Sequence, residues 1–399
     1  MKESNLKYFI LYGIVFDLMT NFYKPFSAKF LERIGGNELH ISLLNSLPGI
    51  ATIIAIIIGL MLNNTKSQKK QTIIMIVFSR IFILLFTFVP FIPEELRPIT
   101  FVLLNFIFNL PYGIYQVTYQ SFIAEIFGPK DRAIAISLRN KSTIIPSMVV
   151  TFATGFIIAK LPSTEEGRIL LYQLFFIISF ILGMLEIRIF NKLVPITEGV
   201  HSNHESMNNR ISKVFKNKYF MGFMICSLLF HFGWQMGWSL FTIYMITNLG
   251  ADEAWLSIIS VASAISMFSG YSFWGKKIQN WGNPKVLSIT TLGMALTPIL
   301  YIISKDLYIL TIMSFISGFF TAGTNTVLMS GLLEAAPDED RPTYISVYSI
   351  FINISLAIAP LVGHLFLSIK DIYFALLMTA IFRTIGSFSF FTRRKLLEN

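Results

Sequence analysis

Charge is what this sequence has least of. Only 14% of its 399 residues are Asp, Glu, Lys or Arg, against about 25% in a soluble domain. With 54% hydrophobic residues and a mean hydropathy of +0.64, that shortfall excludes an ordinary water-soluble chain. Cysteine is nearly missing as well. A lone Cys226 excludes an internal disulfide and a Cys-x-x-Cys metal or redox pair. It falls in an apolar run, where a small packed side chain is the expected role. No Walker A sequence, no His-Glu-x-x-His and no Gly-x-Ser-x-Gly occurs. No connector is long enough to fold into a nucleotide-binding domain, so the chain lacks the means to pump with ATP. No catalytic residues, cofactor or metal site are expected, and the protein is not expected to be an enzyme. His201 and His204 form a bare His-x-x-His in a polar connector without further ligands, which reads as linker. Residues 1–7 have too little positive charge, and no small-residue cleavage site precedes the first apolar run, which is therefore read as retained.

What is present is a series of apolar runs of membrane-crossing length. They read as twelve transmembrane helices at 8–31, 41–62, 72–92, 99–123, 134–159, 169–190, 219–246, 254–274, 285–303, 307–330, 344–367 and 372–391. Runs such as 53–60 do not alternate polar with apolar, which excludes a barrel. The expected fold is all-α and polytopic, with an N-terminal six-helix bundle (1–190), a cytoplasmic linker (191–217) and a C-terminal six-helix bundle (218–399). The net charge of +10 does not mark a nucleic-acid binder, because the cations cluster at one set of helix ends. Lys66, Lys69, Lys70, Lys130, Arg132, Arg188, Lys192, Lys276, Lys277 and the tail 393–395 all fall on the side of the N-terminus. By the positive-inside rule, both termini are expected to be cytoplasmic and the protein to sit in the cell membrane.

The two halves echo each other. Ile34-Gly-Gly-Asn-Glu38 and Ile41-Ser-Leu-Leu44 match Leu249-Gly-Ala-Asp-Glu253 and Leu256-Ser-Ile-Ile259 at an offset of 215. Glu125, Asp131-Arg132 and Ile136-Ser137 match Glu334, Asp340-Arg341 and Ile345-Ser346 at an offset of 209. Parallel repeats of six spans place a binding site at their interface, near mid-membrane.

Polar residues inside the spans are the candidates for that site, since an ionisable group at mid-bilayer costs roughly 2.5–3.5 kcal/mol on insertion scales. In the first span Asp17, Asn21 and Lys24 stand at i, i+4 and i+7, one face of a helix. An Asp–Lys brace between helices and the wall of a solute route are both open readings. The fourth span carries Asn105, Asn109, Tyr112 and Gln116; the corresponding tenth-span positions are Ser314, Gly318, Thr321 and Asn325. Gly318 also fits close helix packing. The seventh span carries His231, Gln235, Trp238 and Thr242, with Trp234 one turn before Trp238. Under the 215 offset Asp17 maps to Phe232, so the acid has no symmetric partner. Arg80, inside the third span, is read as binding an anionic solute, pairing with Asp17 or snorkelling to the interface. Glu125, Arg132, Glu334 and Arg341 sit at equivalent helix ends and are expected to form a cytoplasmic gate of salt bridges. Pro48, Pro111, Pro146, Pro298 and Pro360 are expected to kink their spans.

Twelve spans in two parallel repeats resemble the major facilitator superfamily. Its Gly-x-x-x-Asp-[Arg/Lys]-x-Gly-x-[Arg/Lys]-[Arg/Lys] signature is kept in part by Gly59, Lys69 and Lys70, with Asn63 in place of the acid. The second copy, around Gly275, Lys276, Lys277 and Lys285, has Gln279 at the acidic position. Asn109 stands where proton-coupled members carry an arginine, and the fifth-span glycine-proline motif of drug antiporters is missing around Pro146. The resemblance implies that spans one, four, seven and ten line a central cavity. It also implies a secondary transporter of a small organic solute working by alternating access in the lipid bilayer. The expected form is proton-coupled efflux of amphipathic compounds by a monomer, with a proton or other ion carried on Asp17. Uptake of a nutrient or organic anion, with Lys24 and Arg80 neutralising the solute, is the alternative. A non-transporting receptor or lipid-processing enzyme would need soluble domains or convergent catalytic residues, and the sequence has neither.

Overall fold

The computed structural model describes residues 3–62, 68–195, 207–337 and 340–398. His201, His204, Asn63 and Lys66 lie outside the described residues. The secondary structure among the described residues is helical throughout. The helices are α1 (Glu3–Asn21), α2 (Ser27–Arg33), α3 (Glu38–Leu62), α4 (Gln68–Phe86), α5 (Arg97–Ile126), α6 (Pro129–Lys160) and α7 (Glu165–Phe190). There follow α8 (Met207–Lys216), α9 (Lys218–Ile243), α10 (Glu253–Trp281), α11 (Asn283–Ala295), α12 (Thr297–Ile303), α13 (Leu307–Ala335), α14 (Arg341–Ile369) and α15 (Ile372–Glu398). Ten of the expected spans are long and apolar enough to cross a membrane, among the described residues. The first and third are not among them, and α1 and α4 are the helices carrying Asp17 and Arg80.

Three of the expected spans are interrupted, each at a proline; the third stops at Phe86, four residues before Pro90, ahead of a 3-10 turn over Val89–Phe91. Pro25 has no N–H for the Asn21 carbonyl, so α1 stops at Asn21 and a short 3-10 turn, Lys24–Phe26, leads into α2. Lys24 therefore does not continue the helical face of Asp17 and Asn21, which corrects the expectation of one uninterrupted stripe. In the ninth span Pro298 separates α11 from α12. Pro48, Pro111, Pro146 and Pro360 stay inside continuous helices.

The repeat has a local physical cause. Gly35 and Gly250 both adopt positive φ, +94° and +66°, a conformation open to glycine without steric cost. Asn37 and Asp252 follow, and each side chain caps the next helix, accepting from His40 N at 3.1 Å and Trp255 N at 2.9 Å. Glu38 and Glu253 then open α3 and α10 in the favourable first turn. The matched sequence is thus a turn-and-cap device used twice.

The chain packs as two compact units. The first comprises Met1–His40, Ala51–Asn203 and Asp252–Ser257; the second comprises Ile41–Ile50, His204–Ala251 and Ile258–Asn399. In the first unit Phe30, Phe86, Phe101 and Phe176 interlock, with Phe30 centred 5.0 Å from Phe101 and 5.2 Å from Phe176. Within it lies a fully buried ion pair. Arg80 of α4 donates to Glu186 of α7 from Nη2 at 2.8 Å and from Nε at 3.0 Å, and neither side chain is exposed. Gly183 makes room for it, since a Cβ there would come within 2.8 Å of Arg80 Cδ. Arg80 is thus a structural pair, with Glu186 rather than Asp17. The first unit also holds the first turn of α10: Arg33 forks onto Glu253 at 2.6 and 2.8 Å, and Tyr172 Oη donates to Glu253 Oε1 at 2.8 Å.

The second unit solves the same problem without an acid. Arg383 of α15 is fully buried and donates to three main-chain carbonyls: Gly233 at 3.1 Å, Trp234 at 3.0 Å and Met294 at 3.0 Å. Its guanidinium also lies 5.0 Å over the Phe241 ring. Pro298 has no N–H to offer Met294 four residues back, and Arg383 occupies that place. The end of the linker belongs here too. Arg210 of α8 pairs with Asp340, Nε to Oδ1 at 3.1 Å, and Val214 is buried in the core.

Truncating one member of the Arg80–Glu186 pair strands a buried charge. Glu186→Ala should destabilise the detergent-solubilised protein by about 3–5 kcal/mol, while Arg80→Met with Glu186→Leu together should lose much less. Thermal unfolding of the purified variants measures the difference, and equal losses in single and double variants would contradict this account of the pair.

Candidate substrate and coupling site

Asp17 sits on α1, one turn beyond Gly13. Its carboxylate Oδ1 lies 3.8 Å from Nη2 of Arg139 on α6, and both side chains are partly exposed, 25% and 18%. The approach depends on Gly13: a Cβ there would stand 2.5 Å from Arg139 Cγ and Nε. The absent side chain lets the arginine lie across α1. Its guanidinium is held 5.9 Å from the Tyr12 and Phe16 rings, and Nη1 donates to Asn140 Oδ1 at 3.1 Å. Phe16 also has Arg80 at 5.6 Å, so one ring lies between two cations. Behind it the Tyr12 and Tyr115 hydroxyls meet in a hydrogen bond.

Arg139 is the residue that sequence reasoning missed. It lies in a polar stretch, Arg139-Asn140-Lys141, early in the fifth span. The available signal was Gly13, a glycine one turn before an intramembrane acid, which marks a close approach.

The other first-span candidates are placed differently. Asn21 is engaged on both sides: Nδ2 donates to the Asp17 carbonyl at 2.7 Å and Oδ1 accepts from Thr151 Oγ1 at 3.0 Å. Lys24 is exposed in the turn after α1. The fourth-span stripe lies on α5 and is half-buried throughout. Asn109 Nδ2 donates to the Asn105 carbonyl at 2.7 Å and its Oδ1 at 3.1 Å. Tyr112 packs 5.4 Å from Phe108 and 5.7 Å from Tyr115, and Gln116 follows one turn on.

In the second unit His231 of α9 has Nδ1 2.8 Å from the Ser227 carbonyl, and its ring lies 5.5 Å from Trp234. The carbonyl fixes Nδ1 as donor in either protonation state. Gln235 is buried, with Nε2 donating to the Ile352 carbonyl at 3.2 Å and Oε1 without a protein partner. Trp238 is exposed and meets Trp234 edge-on at 6.4 Å; Thr242 Oγ1 donates to its carbonyl at 3.1 Å. On α13, Thr321 Oγ1 donates to the Ser317 carbonyl at 2.9 Å and Asn325 is exposed. Gly318 is a packing residue, since a Cβ there would meet the Ser263 carbonyl at 2.5 Å.

The expected gate residues lie at helix ends. Arg132 Nη2 donates to the Phe127 carbonyl at 3.4 Å and Arg341 Nη2 to the Leu333 carbonyl at 3.3 Å. Each is a cation at the C-terminal end of the preceding helix, α5 or α13, where the helix dipole favours it. Glu334 accepts from Asn283 Nδ2 at 2.6 Å. Burial raises the pKa of Glu125. No group of three or more potential metal ligands occurs among the described residues.

Long apolar helices, buried intramembrane charges and a partly exposed acid–base pair define a polytopic helical membrane protein built around polar sites. The chain belongs to the Major Facilitator Superfamily, whose family model matches residues 9–267 and 223–397. It is a transporter of that superfamily, and the expectation of a non-enzyme agrees with that membership. No curated protein matches it in sequence. Among solved structures, a mutant of nucleoside transporter NupG superposes with a TM-score of 0.75 at 14% identity, covering 98% of this chain and 99% of that one. A D-xylose-proton symporter gives 0.69 at 14% identity, covering 97% and 95%. The E. coli fucose:proton symporter FucP gives 0.67 at 14% identity, covering 97% and 98%.

The Gly13 contact yields a direct test. Gly13→Val should push Arg139 off Asp17 and reproduce the transport defect of Arg139→Ala. Because the pair is partly exposed, its loss should lower stability by less than about 1 kcal/mol. Parallel transport and thermal-unfolding measurements check both halves; normal transport by Gly13→Val would show that the arginine need not lie there.

Proposed function

We propose that the chain is a proton-coupled secondary transporter that takes up a small polar organic solute by alternating access. The observation that carries this reading is the Asp17–Arg139 pair, partly exposed beside Tyr12 and Phe16. As an anion, Asp17 holds the guanidinium. Protonation removes that attraction and leaves Arg139 with free N–H donors, a fork suited to hydroxyl, carbonyl or carboxylate oxygens of a solute. Binding a proton and binding a solute are thereby linked through one arginine. The names of the structural neighbours, a nucleoside transporter and two sugar:proton symporters, support uptake of a hydroxyl-rich solute.

On this reading Asn105, Asn109, Tyr112 and Gln116 offer uncharged hydrogen-bonding groups from α5, and His231, Gln235, Thr321 and Asn325 do so from the second unit. Arg80, neutralised by Glu186, is unavailable to an anionic solute, which leaves Arg139 and Lys24 for that role. Proton-coupled efflux of amphipathic compounds is the second reading, favoured by the exposed Trp238 set edge-on to Trp234. The distribution of its cations supports cytoplasmic termini, and the proposed setting is a monomer in the cell membrane.

Proteoliposomes carrying a pH gradient test the proposal with nucleosides, pentoses and hexoses alongside amphipathic cations. Wild-type protein should accumulate a polar solute down the proton gradient. Asp17→Asn should lose that accumulation yet keep solute exchange across vesicles without a gradient. Full gradient-driven accumulation by Asp17→Asn would remove Asp17 from coupling, and extrusion of cations alone would favour the second reading.

A further inference from the structure

We propose that the elbow between α10 and α11 binds a phosphate-bearing anion, supplied by the headgroup of an anionic phospholipid. α10 and the span formed by α11 with α12 are each long and apolar enough to cross a membrane, and only Gly282, at φ +77°, stands between α10 and α11. A hairpin of two spans with a one-residue joint puts its joint at the membrane boundary. A cavity of about 460 Å³ opens there, lined by Ser272, Phe273, Lys276, Lys277 and Asn280. That volume is within the range of small-molecule sites.

The sequence arranges this surface in two rows on α10. Ser272, Lys276 and Asn280 repeat at i, i+4 and i+8 and supply a cation between two hydrogen-bonding side chains. Phe273, Lys277 and Trp281 repeat at the same spacing alongside. Lys277 Nζ lies 5.4 Å from the Phe273 ring and 4.3 Å from the Trp281 ring, and Lys285 Nζ lies 5.0 Å from the Trp281 ring. The rings hold the ammonium groups in place without neutralising them. Among the described residues no ion pair involves Lys276, Lys277 or Lys285, and the neighbouring Glu334 is taken by Asn283. Gln279 occupies the position where the family signature has its acid. The elbow therefore carries three lysines, none of them in an ion pair among the described residues, against one nearby carboxylate, Glu334, which is hydrogen-bonded to Asn283.

The source of the missing charge follows from the rim. Phe273 and Trp281 are both exposed, 43% and 40%, at a level where aromatic side chains favour the headgroup region. A soluble phosphate uses only the lysines, whereas a phospholipid covers the aromatics with its upper acyl chain as well. Clusters of lysines at the membrane boundary attract anionic headgroups.

Native mass spectrometry of the full-length protein in detergent tests this with dioleoylphosphatidylglycerol, dioleoylphosphatidylcholine and glycerol 3-phosphate as probes. Phosphatidylglycerol should be retained in preference to phosphatidylcholine. Replacing two lysines (Lys276→Gln with Lys277→Gln) should weaken that binding roughly 30-fold. Ser272→Trp should block it sterically with the charge unchanged, and Lys370→Gln, a surface lysine elsewhere, should leave it intact. Equal retention of both lipids, or phosphatidylglycerol binding unaffected by the lysine and tryptophan variants, would overturn the site. Displacement of the lipid by glycerol 3-phosphate at comparable concentration would overturn the lipid assignment in favour of a soluble anion.

Discussion

The structure depends on neutralising charge where water cannot. An arginine in the apolar interior needs acceptors for its donors, and the two units supply them by different chemistry. In the first, Arg80 meets a carboxylate, Glu186, and the pair is closed from all sides. In the second, Arg383 meets only carbonyl oxygens of α9 and α11. Each arginine ties together helices that the aromatic packing alone would leave free to slide. The exposed pair, Asp17 and Arg139, stands apart because its charges are not sealed. The sealed charges are buried among packed helices, while the Asp17–Arg139 pair remains partly exposed.

Much of the fold was readable in advance. Membrane helices announce themselves by length and apolarity, and ten of the expected spans are of crossing length among the described residues, the first and third falling short. The internal repeat was also legible, because Gly35 with Asn37 and Gly250 with Asp252 are backbone and capping requirements written in particular residue types. Pro25 could have been read as a break rather than as part of a continuous run, since proline denies Asn21 its acceptor partner.

The site was legible by halves. An acid within an apolar span marks itself, so Asp17 stood out, whereas the partner of an acid is a matter of tertiary packing. Arg139 lies more than a hundred residues away at the edge of its span, and Glu186 sits near the basic end of another. Neither is distinguished by local pattern. Arg80 was recognised as costly but could not be matched to Glu186 without knowing that α4 and α7 are neighbours. The charge of Arg132 and Arg341 was visible in the sequence, whereas the carbonyls of Phe127 and Leu333 that they meet are a product of the fold.

Pro298 has a mechanical consequence. A proline break in a membrane helix is ordinarily a point of compliance, where one half bends against the other. Here the vacated carbonyl is held by a side chain rooted in α15, which also grips two carbonyls of α9. The discontinuity between α11 and α12 is therefore stapled, and α9, α11 and α15 are coupled as a stiff tripod. Bending of the ninth span would require all three legs to shift together, so the arginine turns a potential hinge into a strut.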